Sequence, residues 1–245
     1  MYQLKNDLLK IQDHWMVNQA LYQAVQETVP TITSYFASHG VNRMVKTPLS
    51  QFCEEVFPNI YTVPLFRKQF CEILIEEIKC MESAMLFQPN PDEDKLRQIP
   101  EVVLEEHCLE LHRSMCFVVK NVLRPILISL WQRDCSDIAS IQIANYNPKD
   151  KQKGAWHHDR SADISIVVPL NTNEYQGGGT EFHNHGVLSP LPSGHALIFP
   201  SFINLHRGLA VESGNRYLLV FWLHDDESLV ENYETSFARA RSMLN

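Results

Sequence analysis

Residues 156–170 read WHHDRSADISIVVPL, and how this stretch is placed decides the fold of the chain. Ile164 to Leu170 is a short, β-branched, almost wholly apolar run, which reads as a strand buried on both faces. If residues 155–158 are also extended, side chains two apart share a face, so His157 and Asp159 can reach one point while His158 points away. Downstream lie a glycine turn, further apolar runs, His206, and Arg216 ten positions after it.

Two imidazoles and one carboxylate make a facial triad, a donor set that suits Fe(II) and leaves coordination positions open for other ligands. His157, Asp159 and His206 are the candidate ligands. Arg216 suits the far end of a dicarboxylate, because its planar guanidinium grips a carboxylate through two parallel hydrogen bonds and stays charged at any working pH. A lone His-x-Asp arises often by chance, and a second copy stands at His224 and Asp226. Context separates them: the first is followed by strands, a later His and its Arg, the second by a polar tail. His224, Asp225 and Asp226 are therefore read as a solvated strand end.

From Ile138 onward, short apolar or alternating runs are separated by Gly, Pro, Asn and Ser, as in a double-sheet jelly roll. Candidate strands are 138–146, 155–158, 163–170, 179–183, 195–199, 204–211 and 216–223. Gly177, Gly178 and Gly179 are too few and wrongly placed for a phosphate loop and read as a tight turn. Ser213, Gly214 and Asn215 read as the turn that returns Arg216 toward the metal.

The first half is helical in pattern. Leu4, Leu8, Ile11, Trp15, Leu21 and Val25 recur at helical spacing until Pro30 ends or interrupts the run. A second helix is expected over Leu65–Met81, with Phe66, Phe70, Ile73, Leu74 and Ile78 on one side and Glu72, Glu76 and Glu77 on the other. Pro89 to Asp94 reads as a polar loop, and residues 101–133 as two helical segments around Pro125. The expected organisation is an N-terminal helical extension (1–60), a helical support region (61–135), a jelly-roll core (136–230) and a helical tail (231–245). The class is α+β, with the helical region packed against a double-stranded β-helix.

"WHHD" at 156–159, "YQGGGTEF" at 175–182, "PLPSGHALIFP" at 190–200 and "LHRGLAVESGNRYLLVFWL" at 205–223 together resemble the catalytic domain of the 2-oxoglutarate- and Fe(II)-dependent dioxygenases. The similarity is greatest to the branch of procollagen lysyl hydroxylases and prolyl 4-hydroxylases, and within it to the lysyl hydroxylases. It covers Tyr146 to Leu223, and "PLFRKQFCEILIEE" also resembles the helix preceding that core. The resemblance implies Fe(II) on His157, Asp159 and His206, 2-oxoglutarate anchored by Arg216, O2 as oxidant, and ascorbate as an accessory reductant. Tyr146 matches a tyrosine that hydrogen-bonds the co-substrate in the branch; an aromatic packed at a strand end explains it equally well. Because Asp159 is retained where halogenating relatives carry a small residue, hydroxylation is the implied outcome, with succinate and CO2 released. Between Asp159 and the "PLN" closing the strand, the chain is one residue longer than the lysyl hydroxylase pattern, which leaves the roles of Ser161, Asp163 and Ser165 open.

The implied partner is a protein or peptide bearing the lysyl or prolyl target; the same chemistry on a nucleobase or small metabolite is the alternative, and a non-catalytic partner-binding jelly roll is a third. The net charge of −8 argues against nucleic acid, since phosphate binding usually shows as a basic face. Residues 1–15 mix Lys5, Asp7, Lys10 and Asp13 into their apolar positions, without the continuous core of a secretory signal. The apolar stretch Phe117–Trp131 is broken by Lys120, Arg124 and Pro125, so no membrane span is expected. The six cysteines form no CxxC pair and precede the core, which favours reduced thiols and a cytoplasmic location. Residues 1–60 are equally compatible with substrate recognition and with a homodimer contact. The lysine-containing loop Asn147–Gly154 is a candidate lid beside the metal motif, or a plain solvated connection. His183 and His185 are read as pocket-lining or surface residues, and His107, His112 and His195 as structural; none is assigned to iron.

Overall fold

The computed structural model describes all residues except 11–12, 39–47, 90, 92–97, 132, 150–152 and 226–245. The expected tail at 231–245 lies outside the described residues, as do the middle of the 147–154 loop and most of the acidic run before residue 98.

Thirteen strands among the described residues build the β portion. They are β1 (Glu54–Phe57), β2 (Ile60–Pro64), β3 (Gln88–Pro89), β4 (Pro100–Val103), β5 (Asp137–Tyr146), β6 (Ile164–Pro169) and β7 (Gln176–Gly177). After these come β8 (Thr180–Phe182), β9 (Gly186–Leu188), β10 (His195–Pro200), β11 (His206–Gly208), β12 (Val211–Ser213) and β13 (Arg216–His224). Eight form one antiparallel sheet in the order β1-β2-β10-β6-β13-β5-β4-β3. A smaller sheet, β11-β8-β9, and the pair β12-β7 supply the facing layer of the jelly roll.

The large sheet is apolar on both faces, which is why its strands read as continuous hydrophobic runs. Ile141, Ile143, Ile166, Val168, Ile198, Leu219 and Phe221 point to the helical side and are fully buried. Alternate residues of the same strands, Gln142, Ala144 and Tyr146 on β5 and Arg216, Leu218, Val220 and Trp222 on β13, line a cavity between the two sheets. The pleat thus sends one residue set to the core and the next to the site.

Among the described residues, five α-helices cover the core face: α1 (Gln19–Ser38), α2 (Lys68–Ser83), α3 (Leu104–His107), α4 (Leu109–Val118) and α5 (Arg124–Trp131). A π-helical turn, Val119–Leu123, joins α4 to α5. Pro125 has no N–H for the carbonyl four residues back, and the widened turn makes room for its ring, so the expected break is a continuous helix with a local π distortion. The whole segment Leu109–Trp131 is long and apolar enough to cross a membrane by length and composition, but its apolar face lies in the core: Leu111, Met115, Val118, Val119, Val122, Leu123, Ile126 and Leu127 are all fully buried.

Several sequence expectations are corrected. The 1–60 extension is not purely helical: β1 and the start of β2 fall at its end, and a boundary at 60/61 would cut their hairpin. The sheet core does not begin at 136, because four of its eight strands, β1 to β4, precede that point. The cause is β-forming sequence, Val56, Ile60, Tyr61, Thr62 and Val63, in a stretch without clean periodicity. The first helix begins only at Gln19, with Asn18 Oδ1 accepting from the N–H groups of Ala20 and Leu21 as its cap, and it runs through Pro30 to Ser38. Glu77, expected on the exposed side of α2, is buried. It accepts hydrogen bonds from the Tyr2 hydroxyl at 2.6 Å and from the N–H groups of Lys5 and Asn6 at 2.9 Å each, which docks the N-terminal segment on α2.

Candidate active site

His157 does not lie in a strand. It forms an isolated antiparallel bridge with His206, each N–H donating to the other's carbonyl at 3.0 Å. The chain then turns at Arg160–Ser161 and enters β6, so the expected 155–158 strand shrinks to one residue pair. That pair is enough to place the two imidazoles side by side, ring centroids 4.4 Å apart. Likewise the expected 204–211 strand is two pieces, β11 and β12, because the chain changes partner from β8 to β7 at the glycine turn.

Each ring is oriented from behind. Nδ1 of His157 lies 2.8 Å from the Ala155 carbonyl, and Nδ1 of His206 lies 3.0 Å from the Asn204 carbonyl. A carbonyl can only accept, so both Nδ1 atoms are the protonated ones and both Nε2 lone pairs face inward. Nε2 of His157 is 3.2 Å and Nε2 of His206 is 3.7 Å from the Asp159 carboxylate. The three donor atoms all lie within 4.8 Å of one another, and this is the one such cluster of three among the described residues.

Asp159 is itself held. The buried Ser165 hydroxyl on β6 donates to its Oδ2 at 2.5 Å and lies 2.8 Å from the Ser201 hydroxyl. Burial would raise the Asp159 pKa, but His206, His157 and Ser165 outweigh it and hold the carboxyl below the usual range. Burial pushes the His206 imidazole down, against the pull of Asp159. Both directions favour the forms that bind a metal, an ionised carboxylate and a neutral imidazole. Phe199 and Phe182 pack on the His206 ring, at centroid distances of 4.8 and 5.8 Å, and keep that side dry.

Arg216 opens β13 and stands opposite Tyr146 on β5. Its guanidinium carbon lies 5.5 Å above the Tyr146 ring centroid, and the residue is only 4% exposed. Nε and Nη1 are buried and make no hydrogen bond among the described residues. Burying a guanidinium without an acceptor is costly, so the site is shaped for an anion the chain does not itself provide. The glycine turn makes room for it: Gly178 has φ of 75°, and a Cβ there would sit 3.3 Å from Arg216 Cδ. Asn171 fixes the approach to β13, donating to the Asn215 carbonyl and accepting from the Tyr217 N–H.

All five residues singled out by the sequence, Tyr146, His157, Asp159, His206 and Arg216, line one cavity of about 340 Å³. The Tyr146 hydroxyl is clasped by Gly208, where a Cβ would approach it to 3.1 Å. His158 also lines this cavity instead of pointing away, though it is outside the donor cluster. His183 packs edge-on to Trp156 and His185 stacks on Phe57, so both are surface contacts. His224 and Asp225 are not a solvated strand end: His224 Nδ1 is 3.3 Å from Asp163, and Asp225 is buried and paired with Arg133 at 3.0 Å. Of the residues that hold the ligands, the sequence reading left the role of Ser165 open and did not single out Ser201. A lone hydroxyl in the Ile-Ser-Ile-Val-Val run was the one available signal for Ser165.

No family model matches the chain. Over 184 residues it is 26% identical to the multifunctional procollagen lysine hydroxylase and glycosyltransferase of Caenorhabditis elegans, a match covering 70% of this chain and 24% of that protein. It is 27% identical over 181 residues to a procollagen lysyl hydroxylase and glycosyltransferase of Acanthamoeba polyphaga mimivirus, covering 69% and 20% respectively. The chain therefore spans a quarter or less of the length of these relatives. Among solved structures it resembles a prolyl 4-hydroxylase of Phytophthora capsici (TM-score 0.58, 15% identity, 98% of this chain and 79% of that one). It also resembles a prolyl hydroxylase of Trichoplax adhaerens solved with a hypoxia inducible factor peptide (TM-score 0.55, 12% identity, 90% and 94%). The superfamily and branch suggested by the sequence motifs are those of these relatives and neighbours, and the fold is the double-stranded β-helix they share.

Proposed function

From the premise that this chain carries the fold of the 2-oxoglutarate- and Fe(II)-dependent oxygenases, we propose that it hydroxylates a lysyl or prolyl side chain of a protein or peptide, converting 2-oxoglutarate and O2 to succinate and CO2. The observation that carries the reading is the pairing, in one cavity, of the His157–Asp159–His206 cluster with a buried Arg216 whose Nε and Nη1 have no acceptor among the described residues. A binding module would have no physical use for that combination.

The donor set fits Fe(II): two inward-facing neutral imidazole nitrogens and one ionised carboxylate. When bound, iron would supply the activation of O2 and the oxidative power for C–H cleavage. The protein does the rest. Ala155 and Asn204 carbonyls fix the two imidazoles, and Ser165 fixes the carboxylate. Arg216 receives the distal carboxylate of 2-oxoglutarate, with the Tyr146 ring beneath the guanidinium and its hydroxyl between Gly154 and Gly208. Phe182, Phe199 and Val167 exclude water from the closed side. The six cysteines, all free thiols, support a reducing and cytoplasmic setting for the reaction.

The test is succinate formation under air by the purified protein with Fe(II) and 2-oxoglutarate, beside His157→Ala and Arg216→Ala, together with direct titration of 2-oxoglutarate. Iron-dependent succinate that vanishes in His157→Ala, and in Arg216→Ala is lost at low 2-oxoglutarate and recovers only at high concentration, is the expected result. A wild-type protein that neither forms succinate nor binds 2-oxoglutarate overturns the proposal.

A further inference from the structure

Arg216 opens β13, and the first rungs of that strand are completed unequally on its two sides. Toward β5 the ladder is regular, with Arg216 opposite Tyr146 and Tyr217 opposite Asn145. Toward β6 it stops at the Leu218–Pro169 pair, where β6 ends. Leu170 N–H still reaches the Tyr217 carbonyl at 3.0 Å, and from there a side chain takes over from the backbone. Asn171, only 5% exposed, accepts from the Tyr217 N–H at 3.1 Å through Oδ1 and donates to the Asn215 carbonyl at 2.8 Å through Nδ2. An N–H can only donate and a carbonyl can only accept, so the carboxamide has one possible orientation. Its Nδ2 also donates to Glu174 Oε2 at 3.2 Å.

We propose that Asn171 is a positioning residue that sets the length of the 2-oxo dicarboxylate this cavity accepts, by fixing the place of the Arg216 guanidinium. The inference rests on the oxygenase reading above and deepens it. The Asn215 carbonyl belongs to the peptide unit before the Arg216 Cα, and the Tyr217 N–H to the one after it. Each peptide unit is planar, so holding both leaves Arg216 little freedom in φ or ψ. Asn171 is itself anchored on either side, by the Leu170 bond and by Thr172, whose N–H donates to Ser193 Oγ at 2.9 Å and whose hydroxyl donates to the Leu191 carbonyl at 2.6 Å. The Arg216 stem then runs in a slot: a Cβ at Gly178 would sit 3.0 Å from Tyr175 Cε2 and 3.3 Å from Arg216 Cδ. Gly214, with φ of 79°, closes the turn so tightly that a Cβ there would collide with the Glu174 carbonyl oxygen.

The metal-binding end is fixed through different residues. His157 and His206 are held by the Ala155 and Asn204 carbonyls, and Asp159 by Ser165. A dicarboxylate gripped at both ends therefore meets two fixtures built independently, and their separation is set where Arg216 is set. One methylene more or less moves the far carboxylate by on the order of 1 Å. A guanidinium making two parallel hydrogen bonds tolerates such a displacement poorly, because both bonds lengthen or bend together. An arginine free to drift would keep its charge and lose that discrimination.

The experiment is anaerobic calorimetric titration of the intact protein and Fe(II) with four 2-oxo acids. These are 2-oxoglutarate, oxaloacetate with one methylene fewer, 2-oxoadipate with one more, and 2-oxopentanoate, which lacks the distal carboxylate. In the wild type, 2-oxoglutarate should bind at least about 10-fold tighter than either dicarboxylate homologue, the lower end of what one methylene discriminates. Asn171→Asp keeps the shape and the acceptor for Tyr217 but turns a carboxylate oxygen on the Asn215 carbonyl and Glu174. It should weaken 2-oxoglutarate by roughly 10- to 100-fold and bring the three dicarboxylates within about threefold of one another. Binding of 2-oxopentanoate should be unchanged, which a general loosening of the fold would not allow. Gly214→Ala pushes the same turn from the other side with Asn171 intact and should give the same pattern; melting temperatures report whether each variant is folded. A wild type that binds the three dicarboxylates equally, a folded Asn171→Asp or Gly214→Ala that keeps the wild-type preference, or an equal loss for 2-oxopentanoate would each overturn the Asn171 assignment alone. Failure of the wild type to bind 2-oxoglutarate would overturn the oxygenase reading and this inference with it.

Discussion

The chain holds two buried clusters of histidine and carboxylate on either side of β6, built from the same chemistry and put to different ends. In the first, His157, Asp159 and His206 aim their donor atoms at one another across the wall of an open cavity. In the second, fully buried Asp163 receives His224 Nδ1 at 3.3 Å and the Asp225 N–H at 3.1 Å, and Asp225 pairs with Arg133. The second cluster closes on itself and adjoins no cavity among those described. What separates a metal centre from a structural knot is therefore not residue type. It is whether a ring nitrogen is left over: the Ala155 and Asn204 carbonyls occupy only Nδ1 of His157 and His206, whereas His224 meets both Asp163 and the Ser161 backbone.

The largest effect that would break this contrast is at His157. Its replacement by Ala should abolish iron-dependent succinate formation, while the half-buried position keeps the melting temperature within a few degrees of wild type. His224→Ala should do the reverse, lowering stability with metal affinity untouched. Assay and thermal melting of the two variants side by side decide it: loss of metal binding in His224→Ala would dissolve the distinction.

Arg216→Ala comes next. Removing a buried, charge-assisted anchor should raise the KM for 2-oxoglutarate about 100-fold, roughly 2.8 kcal/mol at 1.4 kcal/mol per tenfold change. Arg216→Lys should recover only part of this, because an ammonium cannot make the two parallel bonds. Steady-state kinetics against 2-oxoglutarate measure both, and an unchanged KM in Arg216→Ala would remove the dicarboxylate from that end of the cavity.

A smaller loss is expected at Ser165. Without its hydroxyl, Asp159 keeps its neighbours but loses the bond that fixes Oδ2, and Ser201 loses its partner. Groups that orient a metal ligand typically contribute 10- to 100-fold, so Ser165→Ala should weaken Fe(II) binding by about tenfold. The expected stability cost is about 1 kcal/mol. Anaerobic metal titration with parallel urea unfolding separates the two effects.

Much of the site was legible because its markers are sparse residue types with rigid roles. His157, Asp159, His206 and Arg216 stand out against apolar strands, and all four converge. The helix at Lys68–Ser83 and the later strands followed from periodicity. What stayed hidden depended on contacts distant in sequence. Glu77 looks like any exposed helical glutamate until residues 2–6 dock on it, and Glu101, expected to open a helical segment, lies instead in β4 beside β5. The hairpin β1–β2 was hidden for a related reason: with both faces of the sheet covered, its strands lack the polar–apolar alternation that marks a half-exposed sheet. His224 was misjudged because Asp163, its partner, lies 61 residues earlier.

That last pair gives the smallest predicted effect and the sharpest sign. The Asp163 hydrogen bond raises the His224 pKa, with burial opposing and the charges of Asp163 and Asp137 and the backbone bond to Ser161 adding to the rise; Asp225 and its partner Arg133 stand alongside. A histidine whose pKa is higher folded than unfolded stabilises the fold fully below the unfolded value, about 6.5, and loses that contribution as pH rises through the folded one. His224→Gln should therefore cost most stability in mildly acid solution and progressively less as pH climbs past neutrality. Because the ring is a quarter exposed, the pH-dependent part should stay below about 1 kcal/mol. Urea unfolding of wild type and variant across that range measures it. A difference that grows with pH would mean that His224 is held neutral against Asp163, and that the second cluster resembles the first more closely than its closed geometry implies.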